Sequence, residues 1–103
     1  MRVGALGEVP EGELRAYETA LGRVAVARLE ERLFAVSDEC THAGCSLADG
    51  GLDEDELAVE CPCHGSAFDL GSGEPVRGPA RDPLTVYPVR TDAGWIEIGP
   101  PEG

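Results

Sequence analysis

The chain contains no lysine, asparagine or glutamine, and all 8 of its basic side chains are arginine. Against them stand 20 acidic residues, for a formal net charge of −12. That balance lacks the clustered cations that grip a phosphate backbone, so no nucleic-acid partner is expected. It suits a small soluble protein, kept in solution by its acidic surface and steered toward a basic partner. Missing Asn and Gln agree with heat tolerance, but missing Lys runs against it. A GC-rich coding bias is the plainer account of all three. Aromatic residues make up only 5%, so a core must rest on Val, Leu and Ala. No apolar run approaches the roughly 20 residues that cross a bilayer, and no membrane span is expected. The opening MRVGALGEVPEGE has no basic head followed by a long apolar run. No secretory signal is therefore expected, and the cytoplasm is the expected location.

What is present bounds the fold. A chain of 103 residues makes one domain, 1–103, and is too short for two full cores. Its 14 glycines and 8 prolines lie mostly beyond Cys40, which disfavours a long helical bundle. There is no internal repeat, low-complexity segment or linker, and GPPEG at 99–103 reads as a frayed tail. Residues 13–37 are ambiguous. Leu14, Tyr17 and Leu21, then Val26, Leu29, Leu33 and Val36, sit at helical spacing. The opposing reading has strands near 13–19, 23–29 and 32–37, with Leu21-Gly22 and Glu30-Glu31 as turns. The second half is clearer. LTVYPVR at 84–90 and GWIEIG at 94–99 read as a hairpin through Thr91-Asp92-Ala93, with Pro88 at an edge or bulge. LAVE at 57–60 reads as a strand running into Cys61, after a solvated acidic turn at Asp53–Glu56.

All 4 cysteines and both histidines fall in two short segments. CTHAGC carries Cys40, His42 and Cys45; CPCHGSAFD carries Cys61, Cys63 and His64. Three chemistries compete for them. Two structural disulfides would leave both histidines idle, and they belong to secreted chains. A Cys₂His₂ zinc site has the right donors, but zinc fingers usually pair Cys with Cys and His with His in each half. A [2Fe–2S] cluster of mixed ligation uses one Cys and one His from each loop, through C-x-H and C-x-x-H.

The two boxes closely resemble those of the Rieske family, C-T-H-x-G-C and C-P-C-H-G-S. The resemblance continues through FDLGSGEPVRGPA at 68–80, with its proline loop at 77–81, and through EVPEGE at 8–13. It implies an all-β fold: an antiparallel β-sandwich with a small cluster-binding subdomain, the cluster lying between loops 38–50 and 61–68. It decides residues 13–37 in favour of strands. It implies that Cys40 and Cys61 bind one iron as thiolates and that His42 and His64 bind the other. Two ferric ions, two sulfides and two thiolates sum to zero charge, so this cluster accepts an electron more readily than an all-Cys one.

The same similarity implies a disulfide between Cys45 and Cys63, and a hydrogen bond from the Ser66 hydroxyl to a bridging sulfide. Phe68 stands where high-potential relatives carry a tyrosine, so a potential below the top of the family range is expected. Gly44, Gly65, Gly71, Gly73 and Gly78 suit tight loops, and Pro79 is expected to cover one side of the cluster. Ala43, Leu47, Pro62 and Pro79 are expected to form an apolar collar around a docking tip at His42 and His64, with Arg77 and Arg81 nearby. Trp95 is expected in the core or on an edge strand.

No nucleophile–base pair or phosphate loop is legible, and no catalytic residue is assigned. The resemblance implies a soluble Rieske-type ferredoxin that passes electrons from a flavoprotein reductase to an oxygenase or similar terminal enzyme. The alternative is a Rieske subunit or fragment of a larger complex, such as a nitrite reductase small subunit or part of a quinol- or arsenite-oxidising assembly. A catalytic oxygenase subunit needs a second domain with a two-His-one-carboxylate iron site, for which this chain has no room.

Overall fold

The structure, a computed structural model, describes residues 1–41, 45–63 and 65–101. Among them are eleven strands in three antiparallel sheets: β1 (Arg2–Ala5), β2 (Leu14–Thr19), β3 (Gly22–Leu29), β4 (Arg32–Ser37), β5 (Gly51–Asp53), β6 (Ala58–Glu60), β7 (Ala67–Asp69), β8 (Pro75–Arg77), β9 (Val86–Tyr87), β10 (Val89–Asp92) and β11 (Trp95–Ile98). An outer sheet has the order β1-β11-β10, a central sheet β2-β3-β4-β9, and a small sheet β5-β6-β7-β8. The first two make the sandwich and the third is the subdomain. No helix among the described residues is long and apolar enough to cross a membrane.

Residues 13–37 are strands, not a helical hairpin. Val24 and Val26 of β3 enter one core, with Ala35, Tyr87, Ile96 and Ile98. Ala25, Ala27 and Leu29 enter the other, with Phe34, Val36, Leu47, Val59, Phe68 and Leu70. A strand covered on both faces loses the apolar–polar alternation that marks a half-buried one. Its continuous apolar run then also matches helical spacing, which is the source of the ambiguity.

The turns refine the expected boundaries. Glu30 and Glu31 do make the β3–β4 turn, both with positive φ. The β2–β3 turn lies one residue earlier than expected, at Ala20-Leu21, because Thr19 pairs with Gly22. Residues 84–90 are not one strand. Pro88, which has no N–H to donate, separates β9, paired to β4 in the central sheet, from β10, paired to β11 in the outer sheet. The final hairpin turns through Ala93-Gly94, not Thr91-Asp92-Ala93, since Asp92 pairs with Trp95. Trp95 lies on the middle strand of the outer sheet, neither core nor edge; it is 40% exposed, with the Arg2 guanidinium 4.8 Å from its ring.

Candidate metal centre

Two loops at one end of the fold are closed in the same way. Glu39 bridges Ser46 across the first, and Glu60 pairs with Ala67 across the second. Inside each, the leading cysteine donates its N–H to the carbonyl that ends the loop: Cys40 to Cys45 at 2.9 Å, and Cys61 to Ser66 at 2.7 Å. Both cysteines are free thiols, 2% and 3% exposed, and both are part of the core beneath the loops. His42, with Ala43 and Gly44, and His64 lie outside the described residues.

Three ties hold the loops together. The Cys45–Cys63 disulfide is present and joins them directly, with its Cα atoms 6.5 Å apart. The Ala80 N–H donates to the Ser66 Oγ at 3.1 Å, fastening the proline loop to the second loop. The Thr41 hydroxyl donates to the Asp82 carbonyl at 2.8 Å, fastening the first loop to the chain just past it. Gly78 has a φ of +102°, and a Cβ there would fall on the Ser66 backbone and 2.7 Å from its Oγ. Only glycine lets the proline loop lie so close. An open depression of about 560 Å³ beside these groups is lined by Thr41, Gly78, Pro79, Ala80, Arg81 and Asp82.

Sequence reasoning missed Asp38. Its side chain is 1% exposed. Its carboxylate accepts from the Ser46 hydroxyl at 2.5 Å and from the Ala48 N–H at 2.8 Å, and it faces the Arg23 Nε at 3.0 Å. Its backbone accepts from Leu47 and donates to the Arg23 carbonyl. One residue therefore pins both ends of the first loop to β3. Two residues before Cys40, an acidic side chain gave no signal that set it apart from the many others in the chain.

One expected part of the collar is absent. Leu47 is fully buried in the core and cannot reach a partner, whereas Pro62 and Pro79 are exposed as expected. Arg77 is occupied: its guanidinium donates to Glu56 at 2.8 Å and to Glu60 at 2.6 Å. The bond to Glu56, with both carboxylates nearby, raises its pKa further.

The donor set fits an iron–sulfur cluster. Two thiols remain free, both at the base of a cradle whose other two sulfurs are tied up in a bond, and the buried Ser66 hydroxyl accepts from Ala80 while keeping its own proton. An antiparallel β-sandwich with a braced, thiol-bearing tip of this kind defines a small iron–sulfur electron-transfer domain.

The chain belongs to the Rieske [2Fe-2S] domain family, which residues 1–88 match. It is 39% identical to the 3-phenylpropionate/cinnamic acid dioxygenase ferredoxin subunit of Escherichia coli (strain K12), over 94% of this chain and 90% of that one. The ferredoxin of carbazole 1,9a-dioxygenase from Nocardioides aromaticivorans IC177 superposes with a TM-score of 0.92 at 31% identity, covering 97% and 96% of the two chains. A structure of reduced oxygenase with oxidised ferredoxin in carbazole 1,9a-dioxygenase contains a chain that matches with a TM-score of 0.89 at 33% identity, covering 99% and 94%. The protein is thus a Rieske-type ferredoxin with a [2Fe–2S] cofactor, an electron-transfer component and not a catalytic enzyme.

Proposed function

We propose that this ferredoxin takes single electrons from a flavoprotein reductase and passes them to a terminal oxygenase, docking through the tip that carries His42 and His64. The relatives named above, ferredoxins of dioxygenase systems, support the oxygenase as acceptor. The observation that carries the site assignment is the matched closure of the two loops, which sets a buried free thiol at the start of each. In this reading residues 1–103 are one Rieske domain, with cluster loops 38–50 and 61–68 and the proline loop at 77–81. Cys40 and Cys61 hold one iron, and His42 and His64 hold the other. The mixed-ligand cluster supplies a one-electron centre within a range of about −150 to +300 mV.

The chain's own groups then do the following. The disulfide and the Thr41–Asp82 bond keep the loops from parting. The Ser66 hydroxyl, which accepts from the Ala80 N–H and keeps its own proton, would have that proton to give to the cluster when it is bound, and such a bond would favour the reduced state. Pro62, Gly65 and Pro79, all exposed, form the rim that meets the partner. The reading places the carrier in the cytoplasm beside its reductase.

Low-temperature EPR of the reduced protein tests the ligand set. A g-average below that of all-thiolate clusters is expected, and a colourless zinc-loaded protein would contradict it. His64→Cys is expected to lower the midpoint; an unchanged midpoint removes His64 from the ligands. Anaerobic mixing of the reduced carrier with a dioxygenase terminal component tests the acceptor, with reoxidation expected only when that component is present.

A further inference from the structure

We propose that Arg81 orients the electron acceptor: its guanidinium pairs with a carboxylate, an aspartate or glutamate side chain, on the face of the terminal oxygenase that receives the electron. The inference rests on the acceptor reading above and adds the chemistry of the contact. Arg81 is exposed, yet its backbone is held on both sides. Ala80, just before it, donates its N–H to the Ser66 Oγ at 3.1 Å, and the carbonyl of Asp82, just after it, accepts from the Thr41 hydroxyl at 2.8 Å. One neighbour is thus tied to the second loop and the other to the first, at the residue that separates Cys40 from His42. Arg81 lines the open depression of about 560 Å³, with Thr41, Gly78, Pro79, Ala80 and Asp82. Among the described residues no carboxylate forms an ion pair with it, whereas Arg77, four positions earlier, is bound by Glu56 and Glu60.

Pro79 belongs both to this depression and to the rim proposed to meet the partner, so a protein seated on that rim covers Arg81. Covering a cation with no opposite charge is costly, and a like charge across the interface costs more. A uniformly basic acceptor face is therefore penalised at this one point. A carboxylate there meets the planar guanidinium through two parallel hydrogen bonds. Glu39, Asp49 and Asp82, exposed around the same loops, favour basic groups on the rest of that face. The tip thus presents one unpaired cation among anions, a pattern that fits an acceptor in one rotation. The net charge steers the encounter and Arg81 sets its register. The sign of the effect separates this role from that of a bystander. Removing a cation makes an acidic carrier more negative, which by itself speeds encounter with a basic face. Removing a cation that pairs with a carboxylate slows transfer instead.

The test is anaerobic electron transfer from the reduced, cluster-bearing chain to a dioxygenase terminal component, run beside transfer to a neutral quinone. Arg81→Gln is expected to lower the second-order rate to the oxygenase about tenfold and to leave the rate to the quinone unchanged. Arg81→Lys, which keeps the charge but not the paired hydrogen bonds, is expected to fall between. Arg32→Gln removes the same charge at the far end of β4 from the loops and is expected not to slow transfer. The chain has no lysine, so Arg81→Lys also introduces its one ε-amine. A carbodiimide is expected to couple that amine to an Asp or Glu of the oxygenase, which peptide mass spectrometry then identifies. Changing that carboxylate to its amide is expected to slow the wild-type carrier about tenfold and the Arg81→Gln carrier no further. A rate for Arg81→Gln equal to or above that of wild type would overturn the inference, as would the absence of any intermolecular crosslink from position 81. Equal slowing toward the quinone would overturn it too, since Arg81 would then act on the cluster. Wild-type carrier that the oxygenase fails to reoxidise would overturn the acceptor reading itself, and the pairing with it.

Discussion

Asp38 shows how much one buried side chain can hold. Its carboxylate satisfies a hydroxyl, a backbone N–H and a half-exposed arginine at once. Asp38→Ala leaves the Ala48 N–H without its acceptor, and an unsatisfied buried donor costs about 1–3 kcal/mol. The variant is expected to lose about 2–3 kcal/mol in urea unfolding. Asp38→Asn, which keeps an acceptor oxygen, is expected to lose less. Equal losses would mean that the charge, not the hydrogen bonds, carries the effect.

Tyr17 offers a test by pH. Burial, together with its 2.9 Å hydrogen bond to Glu8, pushes its pKa up to about 12 from 10.0. A raised pKa means that the folded state favours the neutral phenol. Its contribution is fully present below about pH 10 and is lost as the pH rises through about 12. The stability advantage of wild type over Tyr17→Phe should therefore stay constant up to about pH 10 and shrink from there to about pH 12. Thermal melts across that window would show it, and a constant difference would refute the coupling.

Phe68 is fully buried, in the core cluster that also contains Cys40 and Cys61. Phe68→Tyr would introduce a hydroxyl donor into that core. One hydrogen bond of about 1 kcal/mol favouring the reduced cluster corresponds to a rise of about 40 mV in midpoint. A redox titration of the variant checks both sign and size.

Among the elements, legibility followed local chemistry. The β3–β4 turn at Glu30-Glu31 could be read because it depends on a few adjacent residues, whereas the split of 84–90 at Pro88 into strands of two different sheets could not, because it depends on pairing with β4 and β11. The two boxes could be read because metal chemistry demands particular side chains at short spacing. The strands of 13–37 could not be decided from their own pattern, because β3 and β4 are buried on both faces and so lack the apolar–polar alternation of a half-buried strand. The collar failed at Leu47 for a related reason: a short 3₁₀ turn at Leu47–Asp49 points it inward, and no sequence period announces that. The ties Thr41–Asp82 and Ser66–Ala80 join residues far apart in the chain and had no local mark.

The proline loop can be tested at this scale with a matched pair of glycines. Gly78 and Gly94 both have positive φ, at +102° and +84°. A Cβ on Gly94 meets nothing within 4 Å, whereas one on Gly78 meets Ser66. Gly94→Ala should therefore report backbone strain alone, about 1 kcal/mol. Gly78→Ala should lose more stability than Gly94→Ala and should also lower the visible absorbance per protein, since the loop must move off Ser66. Equal melting temperatures and equal colour would show that the close approach is dispensable.

At the scale of the whole molecule, the central sheet serves two cores, one under the outer sheet and one under the thiol-bearing loops. The site is thereby anchored to the most buried strands, while its rim stays exposed. The charge around that rim bears on how a partner arrives. Arg77 is bound to Glu56 and Glu60, so its charge is locally cancelled. Glu39, Asp49 and Asp82 are exposed beside the loops, against Arg81, in a chain of net charge −12. Such a surface accelerates encounter with a basic docking face, and salt removes the advantage by screening over about 10 Å at 0.1 M. The second-order rate of electron transfer to the terminal oxygenase is therefore expected to fall by about tenfold or more between about 10 mM and about 500 mM salt. The reduction midpoint measured without a partner should move far less over that range, which separates steering from an effect on the cluster. Glu39→Gln with Asp49→Asn should flatten the salt dependence while leaving the high-salt rate in place. A rate that rises with salt would mean that the acceptor presents an acidic face and that the exposed carboxylates oppose docking.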